Sequence, residues 1–325
     1  MAMKVMNAKK FPLAPNPEYD RKFIITASLL LACVIVFSTY LHHFQPQVLR
    51  VPNNRDVSTW TNPKFEQTLI FDRMTPAERQ KVYKEGVPDD NLTAWVVLDI
   101  MSILVSLLCF FHARKHYGDW MAYCFVIGSF IFTGLQESLW ILFGRFTGLS
   151  AMQGLGEGVY GTYWFTKGGL WFFAIPVAMC FGWFYVAYGC VWMAGKVFPG
   201  STLMTRAVTG GLLAMVVDLW QDPVATSPEL MNWVWAKQDF IRIFGIPQTN
   251  FVGWFLLIFV FAILWEYLPR WEERWGRAKA TRIFFPVLLA ADVGILAFMV
   301  PWCFVLRTIL VILGFDYGIQ IPSGW

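Results

Sequence analysis

Residues 250–268 read NFVGWFLLIFVFAILWEYL, nineteen positions that hold a single charged group, Glu266. At about 1.5 Å of rise per residue, a helix of this length crosses the roughly 30 Å hydrocarbon core of a bilayer. The run is apolar on every side. A barrel strand would instead alternate polar and apolar positions over about ten residues, so a helix is the only conformation that satisfies this backbone in lipid. Outward from it, six more windows have the same character, near residues 23–41, 94–112, 120–143, 168–194, 204–222 and 283–304. The expected fold is all-α, a polytopic transmembrane helical bundle of about seven spans. The expected organisation is an N-terminal cytoplasmic segment 1–22, a first span 23–41, an extracytoplasmic insertion 42–93, a six-span membrane domain 94–313 and a C-terminal tail 314–325.

Composition carries the same message. Of the 325 residues, 57% are hydrophobic and only 15% charged, against about a quarter charged in soluble domains. Disordered, collagenous and disulfide-rich secreted classes are excluded. The net charge of +4 is spread over the loops, with no basic patch, so nucleic acid is not an expected partner. Lys and Arg resist translocation. With the N-terminus inside, fourteen of them fall on the cytoplasmic side, from Lys4 through Arg282, while the short outer segments hold five: Arg145, Lys167, Lys237, Arg242 and Arg307. The expected location is a bacterial or archaeal cytoplasmic (inner) membrane, N-terminus cytoplasmic. The run from Phe23 to Leu41 is too long for a signal-peptide core and reads as an uncleaved span.

Between the first two spans, Pro46, Pro52, Pro63, Pro76 and Pro88 break up a polar insertion, in which Thr75-Pro76-Ala77-Glu78 has the form of a helix start. The cluster Gly154, Gly156, Gly158 and Gly161 reads as a tight turn between spans. Six cysteines lie in apolar stretches without CxxC spacing, and the four histidines sit at span ends. Clustered His ligation of a di-iron centre or a haem therefore has no seat, and no nucleotide-binding or nucleophile-elbow motif occurs.

What remains is carboxylates, which are costly within spans and mark candidate sites there. Asp99, Glu137, Asp218 and Asp222 all fall toward the outer leaflet, while Asp292 lies mid-membrane. Asp218 and Asp222 are four apart and stack on one helix face. Two such carboxyls in low dielectric share a proton, which leaves a neutral acid available for proton transfer. Glu266 beside Arg270 reads as an interfacial ion pair, and Asp222 before Pro223 also reads as the residue that ends its span.

The same leaflet is rich in rings. The stretch from Asp218 to Trp254 is DLWQDPVATSPELMNWVWAKQDFIRIFGIPQTNFVGW, and Tyr160, Tyr163, Trp164 and Trp171 precede the fourth span. An aromatic belt accounts for these rings, and so does a pocket that tolerates a cation, since each well-placed ring face stabilises a cation by about 0.5–2 kcal/mol.

The run QDPVA, with WVW and GIPQTNFVGW downstream, resembles the carotenoid biosynthesis membrane family that includes the CruF-type carotenoid hydratases and bisanhydrobacterioruberin hydratase. Glu137, the stretch Phe143-Gly144-Arg145-Phe146-Thr147-Gly148, the stretch Tyr160 to Thr166, and Ala174-Ile175-Pro176 with Trp183 are similar to that family's pattern, over about residues 95 to 310. The resemblance implies a membrane enzyme that adds water across the terminal double bond of an acyclic carotenoid end group without a cofactor. Asp218 or Asp222 would then donate the proton and Glu137 would be its partner or the base that orients water. Tyr163, Trp164, Trp233, Trp235, Asn250 and Trp254 would bind substrate, with Asp99 and Asp292 as supporting acids. The expected partners are a carotenoid or other isoprenoid lipid, membrane lipids and other membrane subunits. The alternative is a non-catalytic carotenoid-, quinone- or lipid-binding subunit of a larger membrane complex.

Overall fold

The computed structural model describes residues 13–45, 48, 77, 92–147, 163–165, 168–226, 230, 232–235, 241–244, 246–314 and 320–321. Nearly all of the insertion, including its Thr75-Pro76 helix start, lies outside the described residues, as do Tyr160 and the glycine cluster 154–161. Helices are α1 (Pro17–Phe44), α2 (Leu92–Tyr117), α3 (Asp119–Ser129), α4 (Leu135–Thr147), α5 (Val177–Val197), α6 (Leu203–Ala225), α7 (Gln248–Trp275) and α8 (Arg277–Ile312). A π-turn, Phe130–Gly134, joins α3 to α4 within one continuous span. Seven spans among the described residues are long and apolar enough to cross a membrane, the α3–π–α4 unit counting as one. The protein is an integral membrane helical bundle.

Local chemistry sets the ends. Asn16 caps α1 by accepting from the Tyr19 N–H, and Pro17 occupies the first turn. Single glycines make the joints α2–α3 and α7–α8, where Gly118 and Gly276 adopt φ of 90° and 78°, a region open to glycine at little cost. At this rim Arg277 is buried. It donates to both oxygens of Asp20 at 2.8 and 2.9 Å, and to Glu272 at 2.7 Å.

The core is aromatic: Phe125 meets Phe184, Tyr188, Phe261 and Trp265 edge-on at 4.2–5.6 Å. Close approach of α6 and α7 depends on Gly211, where an added Cβ would stand 2.6 Å from the Phe255 ring and 2.9 Å from its carbonyl oxygen.

Three readings of the sequence need correction. The fourth span starts at Val177 rather than at 168. The residues before it form an antiparallel hairpin, β2 (Trp171–Phe172) with β3 (Ile175–Pro176). The ends of α1 and α4 hold it there: Thr39 Oγ1 accepts from the Trp171 N–H at 2.9 Å, Ser38 Oγ from the Phe173 N–H at 3.0 Å, and Ser138 Oγ from the Ala174 N–H at 3.3 Å. His42 stacks on Trp171 at 3.8 Å. Second, Pro223 does not end its span but sits inside the last turn of α6, where Thr226 N–H and Oγ1 both donate to the Asp222 carbonyl. Third, Glu266 pairs with Arg206 at 3.0 Å, while Arg270 lies over the Tyr267 ring. Within the C-terminal tail, β7 (Gln320–Ile321) pairs in parallel with β5 (Arg242–Ile243), which pairs in turn with β6 (Ile246–Pro247).

Candidate active site

The π-turn decides what the third span presents inward. One extra residue in a turn rotates everything after it by about 100°. The rotation aims Gln136, Glu137 and Trp140, on one face of α4, into the end of the bundle where α6 finishes. On α7 the residues Asn250, Gly253, Trp254 and Leu257 follow helical spacing and face the same place. Above them β1 (Tyr163–Phe165) pairs antiparallel with β4 (Trp233–Trp235), register Phe165 to Trp233, and those two rings meet at 5.6 Å.

Asp218 and Asp222 stack on α6 as their spacing requires, 0% and 2% exposed. Two carboxyls buried on successive turns and bridged by one amide nitrogen do not both ionise at low cost, so the pair retains a proton. Asn250 Nδ2 donates into the pair, 2.9 and 3.0 Å from the two oxygens of Asp218 and 2.6 Å from Asp222 Oδ2. The other oxygen of Asp222, Oδ1, is buried and has no hydrogen-bond partner among the described residues. Across the gap Glu137 accepts from Trp183 Nε1 at 2.7 Å and lies within electrostatic reach of Asp222. The Trp183 and Trp254 rings are 4.5 Å apart, tilted by 48°.

Two small cavities meet at this cluster and share Glu137, Trp183, Asn250 and Trp254 as walls. One, about 30 Å³, is bounded by Asp222 and by the rings of Phe165, Trp183, Trp233 and Trp254. The other, about 40 Å³, is bounded by Gln136, Trp140, Thr249, Leu257 and Met299. An acid, a second carboxylate and several ring faces thus border one narrow space, a setting in which charge that develops on a bound hydrocarbon is stabilised by the ring faces.

Of the residues singled out from the sequence, Glu137, Asp218, Asp222, Trp233, Asn250 and Trp254 come together here. Tyr163, Trp164 and Trp235 hold strand positions in the β1–β4 pair, and their side chains lie outside the described ones. Asp99 on α2 and Asp292 on α8 line neither cavity. Asp292 is wholly buried, and neither of its oxygens has a hydrogen-bond partner among the described residues. Trp140 and Thr249 were not singled out, although Trp140 follows Glu137 by three positions, and so shares its face, and Thr249 precedes Asn250.

No curated protein and no solved structure matches the chain. The family described as carotenoid biosynthesis protein matches residues 139–320, more than half of the 325. That segment holds Asp218, Asp222, Asn250 and Trp254 and begins two residues after Glu137. A membrane bundle with this match has one reading at the level of family: the chain belongs to the carotenoid biosynthesis protein family and is a membrane protein of carotenoid biosynthesis.

Proposed function

We propose that this protein hydrates the terminal C=C of an acyclic carotenoid end group by acid catalysis, with no cofactor. The observation that carries the reading is the buried Asp218–Asp222 pair, spanned by Asn250 and opening through Asp222 onto a ring-lined cavity. Hydration of an isolated trisubstituted alkene begins with transfer of a proton to one alkene carbon, which leaves a tertiary cation on the other. The shared proton of the aspartate pair is the acid. Phe165, Trp183, Trp233 and Trp254 face the cation, each ring worth about 0.5–2 kcal/mol where water is excluded. Glu137, held by the Trp183 N–H, takes the proton that the attacking water releases and returns it to the nearby Asp222. The alkene gains one water and the protein ends unchanged.

A polyene of this class reaches the cavity laterally from the bilayer, between the ends of the spans that carry Glu137, Asp222 and Asn250. The basic residues at the N-terminal rim, among them Arg21, Arg114, Lys196, Arg206 and Arg277, favour that rim facing the cytoplasm. The test is expression in a lycopene-making host followed by pigment analysis. The expected result is a hydroxylated end group with the wild type and none with Asp222→Asn, while the variant remains membrane-inserted. Wild-type turnover in Asp222→Asn would remove Asp222 from the chemistry. A wild type that forms no hydroxylated pigment, but co-purifies with carotenoid and further subunits in fixed ratio, would favour the non-catalytic pigment-binding role.

A further inference from the structure

The cavity beside Trp140 and Thr249 contains a mismatch between polar atoms and partners. Trp140 is 5% exposed and Thr249 0%, yet Trp140 Nε1 and Thr249 Oγ1 have no hydrogen-bond partner among the described residues. Both side chains line the cavity. Buried donors and hydroxyls are almost always paired, with protein or with ordered water, because an unpaired group forfeits its hydration. Two such groups from separate helices that border one small space point to a ligand that supplies both an acceptor and a donor. The space, about 40 Å³, has room for about three waters. Gln136 adds a third polar wall, and water in such a site needs two to four partners.

We infer that this cavity is an internal water site, held by Trp140 and Thr249, and that it stores the water consumed in the hydration proposed above, on which this second role rests. Trp140 Nε1–H donates to the water oxygen, and the Thr249 hydroxyl fixes its orientation. Glu137 and Asn250, common to both cavities, form the boundary across which the water meets the cation. The oxygen lone pair forms the new C–O bond, an O–H bond of the water breaks, and its proton goes to the Glu137 carboxylate. Separate chambers for water and alkene keep the aspartate pair dry until a substrate is present, so that its proton goes to carbon rather than to bulk solvent.

The water site itself is read without any turnover. In full-length protein labelled with ¹⁵N-tryptophan in nanodiscs, the Trp140 indole signal is the one that Trp140→Phe removes. Magnetisation transfer from water to that indole proton is expected in the wild type, is reduced at least fivefold in Thr249→Val and is restored in Thr249→Ser. Absence of transfer in the wild type would overturn the water site. The role in the reaction is read with lycopene membranes in deuterated water. Thr249→Val and Trp140→Phe are expected to lower hydrated product at least tenfold while deuterium still enters the recovered alkene, because the cation forms and then loses a proton instead of capturing water. Equal loss of product and of deuterium entry would make both residues merely structural and overturn that role. A wild type that neither hydrates nor exchanges would overturn the hydratase reading and the storage role together, leaving the water site to be decided by the indole signal alone.

Discussion

Trp183 Nε1 donates to Glu137 Oε2 at 2.7 Å, joining α5 to α4 across forty-six positions of sequence. The same indole ring stands 4.5 Å from Trp254, so one side chain both orients a carboxylate and forms part of the ring wall. Trp183→Phe keeps a ring and removes the donor. A hydrogen bond to a charged group is worth about 1.5–3 kcal/mol, so hydrated product should fall by roughly 10- to 100-fold with the protein still inserted. Glu137→Gln, which can still accept from the indole, should also lose activity but should keep the wild-type melting temperature more closely. Pigment analysis and a thermal melt in detergent check the two.

Asn250 donates to both members of the aspartate pair. Asn250→Leu leaves two buried acids facing an apolar branch. A loss of about 2 kcal/mol in stability is expected, measured as a lower midpoint of thermal unfolding, together with loss of product. Asp218→Asn combined with Asn250→Leu should recover part of that stability, because one of the stranded carboxyls has been removed, yet it should stay inactive.

Gly211 sets how closely α6 and α7 pack, and that spacing brings Asn250 to Asp218 and Asp222. Gly211→Ala places a methyl against the Phe255 ring and carbonyl. Overpacking of this kind costs about 1–3 kcal/mol, and product should fall with stability. Gly294→Ala on α8 is the control: nothing lies within 4 Å of the added carbon, and helix propensity alone favours alanine by about 1 kcal/mol. Its melting midpoint should hold or rise, and its product yield should match the wild type.

The Asp20–Arg277 pair lies at the rim opposite the aspartate cluster. Asp20→Asn removes one of the two carboxylates that hold the buried Arg277, which keeps Glu272, the Ala14 carbonyl and the Trp120 ring. Loss of a hydrogen bond between charged groups costs about 1.5–3 kcal/mol. The expected outcome is a lower yield of folded protein with product per folded molecule unchanged, measured by quantitative fluorescence-detected gel filtration beside pigment analysis.

Much of the bundle was legible because a bilayer imposes one length and one periodicity on every span. The windows near 204–222 and 250–268 fall within α6 and α7. The fourth window misjudged its start because Leu170 to Pro176 is as apolar as a helix. What makes it a hairpin is the set of Ser38, Thr39 and Ser138 side chains that satisfy its backbone, and these come from remote parts of the chain. In the candidate site, the stacking of Asp218 on Asp222 is a consequence of four-residue spacing. The Trp183–Glu137 bond and the pairing of Glu266 with Arg206 rather than Arg270 are tertiary choices with no local signature. Trp140 stands out only in three dimensions, through a buried indole nitrogen that has no hydrogen-bond partner among the described residues.

The first helix is fastened at its two ends and scarcely anywhere else. Asp20 is bolted to Arg277 at one rim, and Ser38, Thr39 and His42 grip the β2–β3 hairpin at the other, while most of the surface between them faces outward. From Asp20 to His42 the axial distance is roughly 33 Å at about 1.5 Å per residue, close to the thickness of a hydrocarbon core. Such a strut works as a gauge. In a thinner bilayer it tilts or drags on the hairpin, and lipid composition is thereby transmitted to the segment that leads into Trp183.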